Sequence, residues 1–195
     1  MNARSEILGR LREALADAPV IPEVPRAYRR RSTAGAAEIR EMLVDRLVDY
    51  RASVHSASAE ELPDVLARLV TGPVVLPAGI DRAWLPQVSE VTDPLEAACV
   101  ITSSTVSCAE TGTIILTGQP AEGRRELSLI PDHHICIVPA DTIVELFPEA
   151  WERVAAVGLE GPITMISGPS ATSDIELERV EGVHGPRRLD VVILG

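Results

Sequence analysis

Residues 3–18 set Ile7, Leu8, Leu11, Ala14, Leu15 and Ala18 on one face at helical spacing, with Arg and Glu opposite. That pattern predicts a short amphipathic helix. Three prolines in Pro19-Val-Ile-Pro-Glu-Val-Pro25 then enforce an extended path, and a basic patch of Arg26, Arg29, Arg30 and Arg31 follows. Residues 1–31 therefore read as a helical arm with a Pro-rich linker, and residues 32–195 as one α/β domain. The arm either docks on another protein or subunit, or folds back over its own domain with the arginines in solvent.

Helical and strand periods alternate from there. Ile39, Met42, Leu43, Leu47 and Tyr50 form a second helical stripe within residues 33–51, and residues 52–57 read as a strand. Ser58-Ala-Glu-Glu61 is a capping box that opens a helix reaching Val70. A short buried strand is expected between the breakers of residues 72–79, and one helical turn over 81–85. Residues 100–102 and 113–117 predict strands bracketing a small-residue loop, and residues 135–138 another strand. Thr142 to Glu145 reads as the cap of a helix running to about Val157. Residues 163–167 and 189–194 complete the strands, with a short helix over 174–180 between them. The class is α/β, a mixed or mostly parallel sheet with flanking helices, where ligands bind at loops leaving the carboxyl ends of strands.

Composition narrows the function. The chain has 195 residues, 46% of them hydrophobic, enough for one sizeable core. Only Trp84, Trp151, Tyr28, Tyr50 and Phe147 are aromatic, so a base-stacking platform is not expected. The net charge of −11 opposes nucleic acid as a partner, because affinity for it rests on phosphate neutralisation. Residues 1–51 carry ten Arg against eight acids, a balance of +2, while the remainder stands at −13. Every cation is Arg, which codon bias explains more simply than anion recognition. Cys99, Cys108 and Cys136 lack the paired spacing of zinc or iron–sulfur sites, so no metal and no cofactor is expected in this chain. With no signal-peptide pattern and no apolar run near 20 residues, the expectation is a cytoplasmic protein with no membrane insertion.

Three loops qualify for chemistry. In the first, Glu110 is a carboxylate just before a buried strand, Thr111 and Thr113 supply hydroxyls, and Gly112 allows close approach of backbone. Glu110 would act as base or nucleophile if burial raised its pKa, and otherwise caps or pairs locally. The second runs from Gly123 to Ile135 and holds Arg124, Arg125, His133 and His134. Adjacent side chains on a strand point to opposite faces, so only one of the two histidines, His134, is nominated for a pocket. The third is Ser167-Gly-Pro-Ser-Ala-Thr-Ser-Asp174 with the turn Gly182-Val-His-Gly-Pro186. There Gly168, Ser170, Thr172, Ser173, Asp174 and Gly185 are ligand-binding candidates for a carboxylate or phosphate. Ser173 or Asp174 serves equally as a helix cap, and the two acids, Asp174 and Glu176, disfavour phosphate. His184 presents an imidazole that titrates near neutral pH. No dinucleotide fingerprint, phosphate loop or nucleophile elbow occurs.

Ala109-Glu-Thr-Gly-Thr113, Ser128-Leu-Ile-Pro-Asp-His-His-Ile135, Ser167-Gly-Pro-Ser-Ala-Thr-Ser-Asp-Ile-Glu176 and Gly182-Val-His-Gly-Pro186, in this order, resemble the lactate-utilization (LUD) domain family. The resemblance covers residues 30–195. It implies a fold similar to ribose-5-phosphate isomerase and CoA transferases. It also implies a role in oxidising L-lactate to pyruvate beside two larger proteins that bear iron–sulfur cysteine motifs. Glu110 stands where the family more often has Asp.

Two readings follow. One is an accessory or regulatory subunit that binds a small carboxylate or phosphate-bearing ligand, or the iron–sulfur partner proteins, with self-association open. The other is an independent isomerase- or CoA-transferase-type enzyme using Glu110 and His184 as catalytic residues on a small anionic substrate. Convergence of Glu110, His184 and Ser170 on one pocket would separate them.

Overall fold

A computed structural model describes residues 2–16, 22–158, 161–172, 180–182 and 184–195. The helices are α1 (Ala3–Ala14), α2 (Ala36–Asp49), α3 (Leu62–Leu69) and α4 (Phe147–Ala156). The strands are β1 (Ser53–Ala57), β2 (Val74–Val75), β3 (Glu90–Val91), β4 (Cys99–Thr102), β5 (Val106–Cys108) and β6 (Thr113–Leu116), then β7 (His133–Pro139), β8 (Ile143–Val144), β9 (Thr164–Ile166), β10 (Ala171–Thr172), β11 (Val180–Glu181) and β12 (Arg188–Leu194). Six strands form an all-parallel sheet in the order β1-β12-β7-β4-β2-β3. A second, mixed sheet has the order β8-β5-β6-β9. β10 and β11 make a small antiparallel pair.

The expected α/β architecture with flanking helices is present, though a second sheet shares the work of the helices. On one face of the parallel sheet α3 buries Leu62, Val65, Leu66 and Leu69 against Ile101, Ile135, Ile137 and Val192. On the other, Leu43 and Leu47 of α2 join Ile114 and Leu116 of the second sheet over Cys136, Val138, Val191 and Ile193. α4 then covers the outer side of that second sheet with Ala150 and Val154. Strands buried on both faces read as continuous apolar runs, which is why β7 and β12 were visible in the sequence.

Local chemistry sets the helix ends. The Ser58 N–H donates to Glu61 Oε2 at 3.0 Å while the Glu61 N–H donates back to Ser58 Oγ at 3.3 Å, and α3 follows. The helix expected to be capped by residues 142–145 begins later, at Phe147. Ile143 and Val144 pair with Ser107 and Cys108 instead, and Glu149 accepts the Leu146 N–H at 3.1 Å. Residues 106–108, expected within a loop, form β5 because β6 and β8 flank them. The helix expected over 174–180 lies outside the described residues up to Val180, which belongs to β11. No helix among the described residues is long and apolar enough to cross a membrane.

Candidate functional site

Most of the residues nominated from sequence gather at the amino edge of the parallel sheet. The β5–β6 turn holds Glu110 to Thr113, with Gly112 at φ +60°, where a Cβ would sit 2.7 Å from Arg46 Cβ. Only glycine fits that approach. The Thr111 hydroxyl lies 2.8 Å from that of Thr113, which in turn meets Ser167 Oγ at 3.0 Å. Gly168 packs against the end of α2, since a Cβ there would come within 2.6 Å of the Tyr50 carbonyl oxygen. Ser170 stitches the last loop together: its N–H donates to the Pro186 carbonyl, its carbonyl accepts from Gly182, and its hydroxyl accepts from the His184 N–H at 3.2 Å. A Cβ on Gly185 would stand 3.3 Å from Ser170 Cβ. Thr172 pairs with Val180 across β10 and β11. Ser173 and Asp174 lie outside the described residues.

These loops meet, and among the described residues several of their polar groups are bound within the protein. Glu110 receives Arg29 Nη2 at 2.6 Å, and Arg29 Nη1 also reaches Glu145 at 3.1 Å. Hydrogen bonding from Ser32, against the opposing effect of burial and with help from Arg29, holds the Glu145 carboxyl below its ordinary range. Two arginines of the basic patch are thus pinned on acids of the domain, Arg31 pairing with Glu152. Glu110 is tied to Arg29, whereas Ser170 and His184 are tied to each other.

A large cavity lies elsewhere, at the carboxyl edge. The connection after β2 leads outward to β3, whereas the one after β4 leads the other way toward β7. In open parallel sheets ligands bind where neighbouring connections diverge in this manner. A cleft of about 1090 Å³ opens beside β2 and β3. Its walls include Val75, Leu76, Pro77 and Val91 on one side, and Leu116 and Leu127 on the other. Glu90, Gln119, Glu122, Arg124, Arg125 and Glu126 supply its polar groups. Glu122 is 2% exposed and holds the floor: Thr105 Oγ1 donates to Oε1 at 2.5 Å, and the Thr117 and Gln119 N–H groups donate to Oε2 at 2.6 and 3.0 Å. Of the loops singled out from sequence, only the one carrying Arg124 and Arg125 reaches this cleft. β2 was expected as a strand within residues 72–79 but not as a cleft wall, and β3 was missed, because a two-residue strand leaves almost no periodic signal.

Residues 92–194 match the family model of the LUD domain. Lactate utilization protein C of Deinococcus radiodurans is 44% identical over 206 aligned positions, covering all of this chain and 96% of that protein. The chain belongs to the LUD domain family. Lactate utilization protein C of an Exiguobacterium species is 30% identical, over 82% of this chain and 80% of its own. The crystal structure of a DUF162 family protein from Deinococcus radiodurans superposes with a TM-score of 0.71 at 38% identity, covering 83% of this chain and 99% of that one.

Within the LUD domain two histidine environments stand out. His134 is buried, with Nε2 2.8 Å from Thr102 Oγ1 and no partner for Nδ1 among the described residues. Burial, with the neighbouring His133 as the lesser cause, pushes its pKa down to about 3. It is a buried, neutral group and does not line the cleft. On the opposite face, Asp190 of β12 accepts from His55 Nε2, His133 Nε2 and Arg188 Nε, each at 2.7 Å. Burial pushes the Asp190 carboxyl up, but the bonds from His133, His55 and Arg188 outweigh it and hold the pKa at about 2. The one signal for this cluster was an aspartate interrupting the apolar run of residues 189–194. All three LUD-domain thiols are buried and unpaired, and burial pushes Cys136 up to about 12. A thiol so protonated is a poor metal ligand. Among the described residues no group of three His, Cys, Asp or Glu side chains is placed to hold a metal ion.

Proposed function

We propose that this chain is the small component of a bacterial L-lactate oxidation system, an accessory or regulatory subunit working in the cytoplasm with iron–sulfur partner proteins. The observation that carries the proposal is the end-to-end similarity to lactate utilization protein C, at 44% identity over 96% of that protein's length. Two features of the chain support the division of labour. Its thiols are buried on separate strands, so cluster chemistry falls to partners, and unpaired thiols suit a reducing compartment. A large cleft lies where the parallel sheet favours a ligand, and it offers arginines rather than a metal-binding set.

Disrupting the gene in its host should abolish growth on L-lactate as sole carbon source while leaving growth on pyruvate intact, and the wild-type chain should restore it. Unchanged L-lactate consumption in the disrupted strain would overturn the proposal.

A further inference from the structure

Lactate has six heavy atoms. At the roughly 30 Å³ that a water molecule occupies in the liquid, six such atoms account for less than about a fifth of a 1090 Å³ cleft. Clefts of this size bury drug-sized molecules, on the order of 300–1,000 Å³. We propose that the cleft takes an amphiphilic organic anion substantially larger than lactate, with its anionic head on Arg125 and its apolar body between the β2–β3 and Leu116–Leu127 walls. The inference deepens the ligand-site reading above and rests on it.

Charge selects the head. Every carboxylate that lines the cleft is already engaged. Glu90 is held by both ends of Arg82, at 2.7 and 3.1 Å. Glu126 is held by Arg124 at 2.7 Å, and Glu122 is sealed beneath three donors. Arg125 is exposed and has no carboxylate partner among the described residues, although the chain as a whole carries a charge of −11. The unpaired charge presented to the cleft is therefore a cation, and its planar fork suits a carboxylate or phosphate. The body is selected by the walls. Leu76, Leu116 and Leu127 are buried and Val91 is half-buried, so methylene groups placed between them leave water for hydrocarbon.

Calorimetric titration of the full chain with straight-chain carboxylates from acetate to decanoate, with the matching alcohols, and with L-lactate tests both halves. Affinity should rise roughly three- to fourfold per added methylene. Each carboxylate should bind about tenfold or more tightly than its alcohol. Arg125→Gln should erase the preference for carboxylate and leave alcohol binding unchanged. Ala78→Trp, at an exposed position on the cleft wall, should remove the dependence on chain length. Melting temperatures close to wild type would confirm that both variants fold. Equal binding of acetate and decanoate, tighter binding of L-lactate than of octanoate, or indifference to Arg125→Gln would overturn the proposal. None of these outcomes touches the growth phenotype on L-lactate, so the role in lactate utilization stands or falls separately.

Discussion

The His134 ring and the Asp190 carboxylate lie on opposite faces of the parallel sheet, and both make the fold sensitive to acid. His134 has an ordinary pKa of 6.5 and a folded value of about 3. Below pH 6.5 the unfolded chain takes up a proton that the folded chain refuses, so this stability is complete above 6.5 and drains away as the pH falls toward 3. The slope is on the order of 1.4 kcal/mol per unit. Asp190 behaves alike in a lower window, from its ordinary 3.8 down to about 2. Urea unfolding at pH 7, 6, 5 and 4 should show a decline beginning near 6.5 that is flatter in His134→Gln, although that variant starts lower at pH 7. Identical slopes in the two proteins would remove His134 as the cause. Asp190→Asn should cost about 3 kcal/mol at pH 7, because Arg188 and two imidazoles lose a charged acceptor inside the sheet.

Elements with a local cause were legible from sequence, and those with a distant cause were not. The Ser58–Glu61 box is written in four consecutive residues, and its reciprocal hydrogen bonds are present. Ser58→Ala should lower unfolding stability by about 1 kcal/mol, measured by urea, with no change in ligand binding. β8 has no such local signature: Ile143 and Val144 are apolar at a spacing that suits either a helix or a strand, and the backbone of β5 decides between them. The arm lies between these cases. α1 forms as its periodicity predicts, with Asn2 capping the Arg4 N–H, yet it buries no residue, and Ile7 and Leu11 are more than half exposed. A helix of 12 residues that buries none of its side chains is marginal in water by itself. Deleting residues 1–24 should leave the melting temperature within a few degrees of wild type, because Arg29, Arg31 and Ser32 still latch the domain. A collapse of the melt at constant mass would make α1 part of the core.

At the scale of the whole molecule, the candidate groups divide between two edges of one sheet. The amino edge holds most of the residues that stood out in sequence, because hydroxyls, glycines and a histidine clustered in short stretches catch the eye there. Among the described residues their contacts hold these loops to one another and to α2. Gly112 and Gly168 admit the end of α2, and the Ser170 hydroxyl accepts the His184 amide. The carboxyl edge holds the cleft, whose walls come from residues 75–78, 90–92, 116–120 and 122–128 and from the segments 157–158 and 161–164, so no motif of fixed spacing could announce it. Arg124 and Arg125 were the part within reach of a sequence reading. The two edges make opposite predictions in a strain that depends on this chain for growth on L-lactate. If the cleft carries function, Ala78→Trp and Arg125→Gln should impair growth while melting near wild type. Ser170→Ala should lower stability by about 1 kcal/mol through the lost amide acceptor, and His184→Ala, at an exposed side chain, should do less. Neither should alter growth at a temperature where the fold is secure. Growth measured beside melting temperature for all four variants decides the matter. Loss of growth in Ser170→Ala or His184→Ala with an intact melt, and normal growth in both cleft variants, would move the functional site to the amino edge.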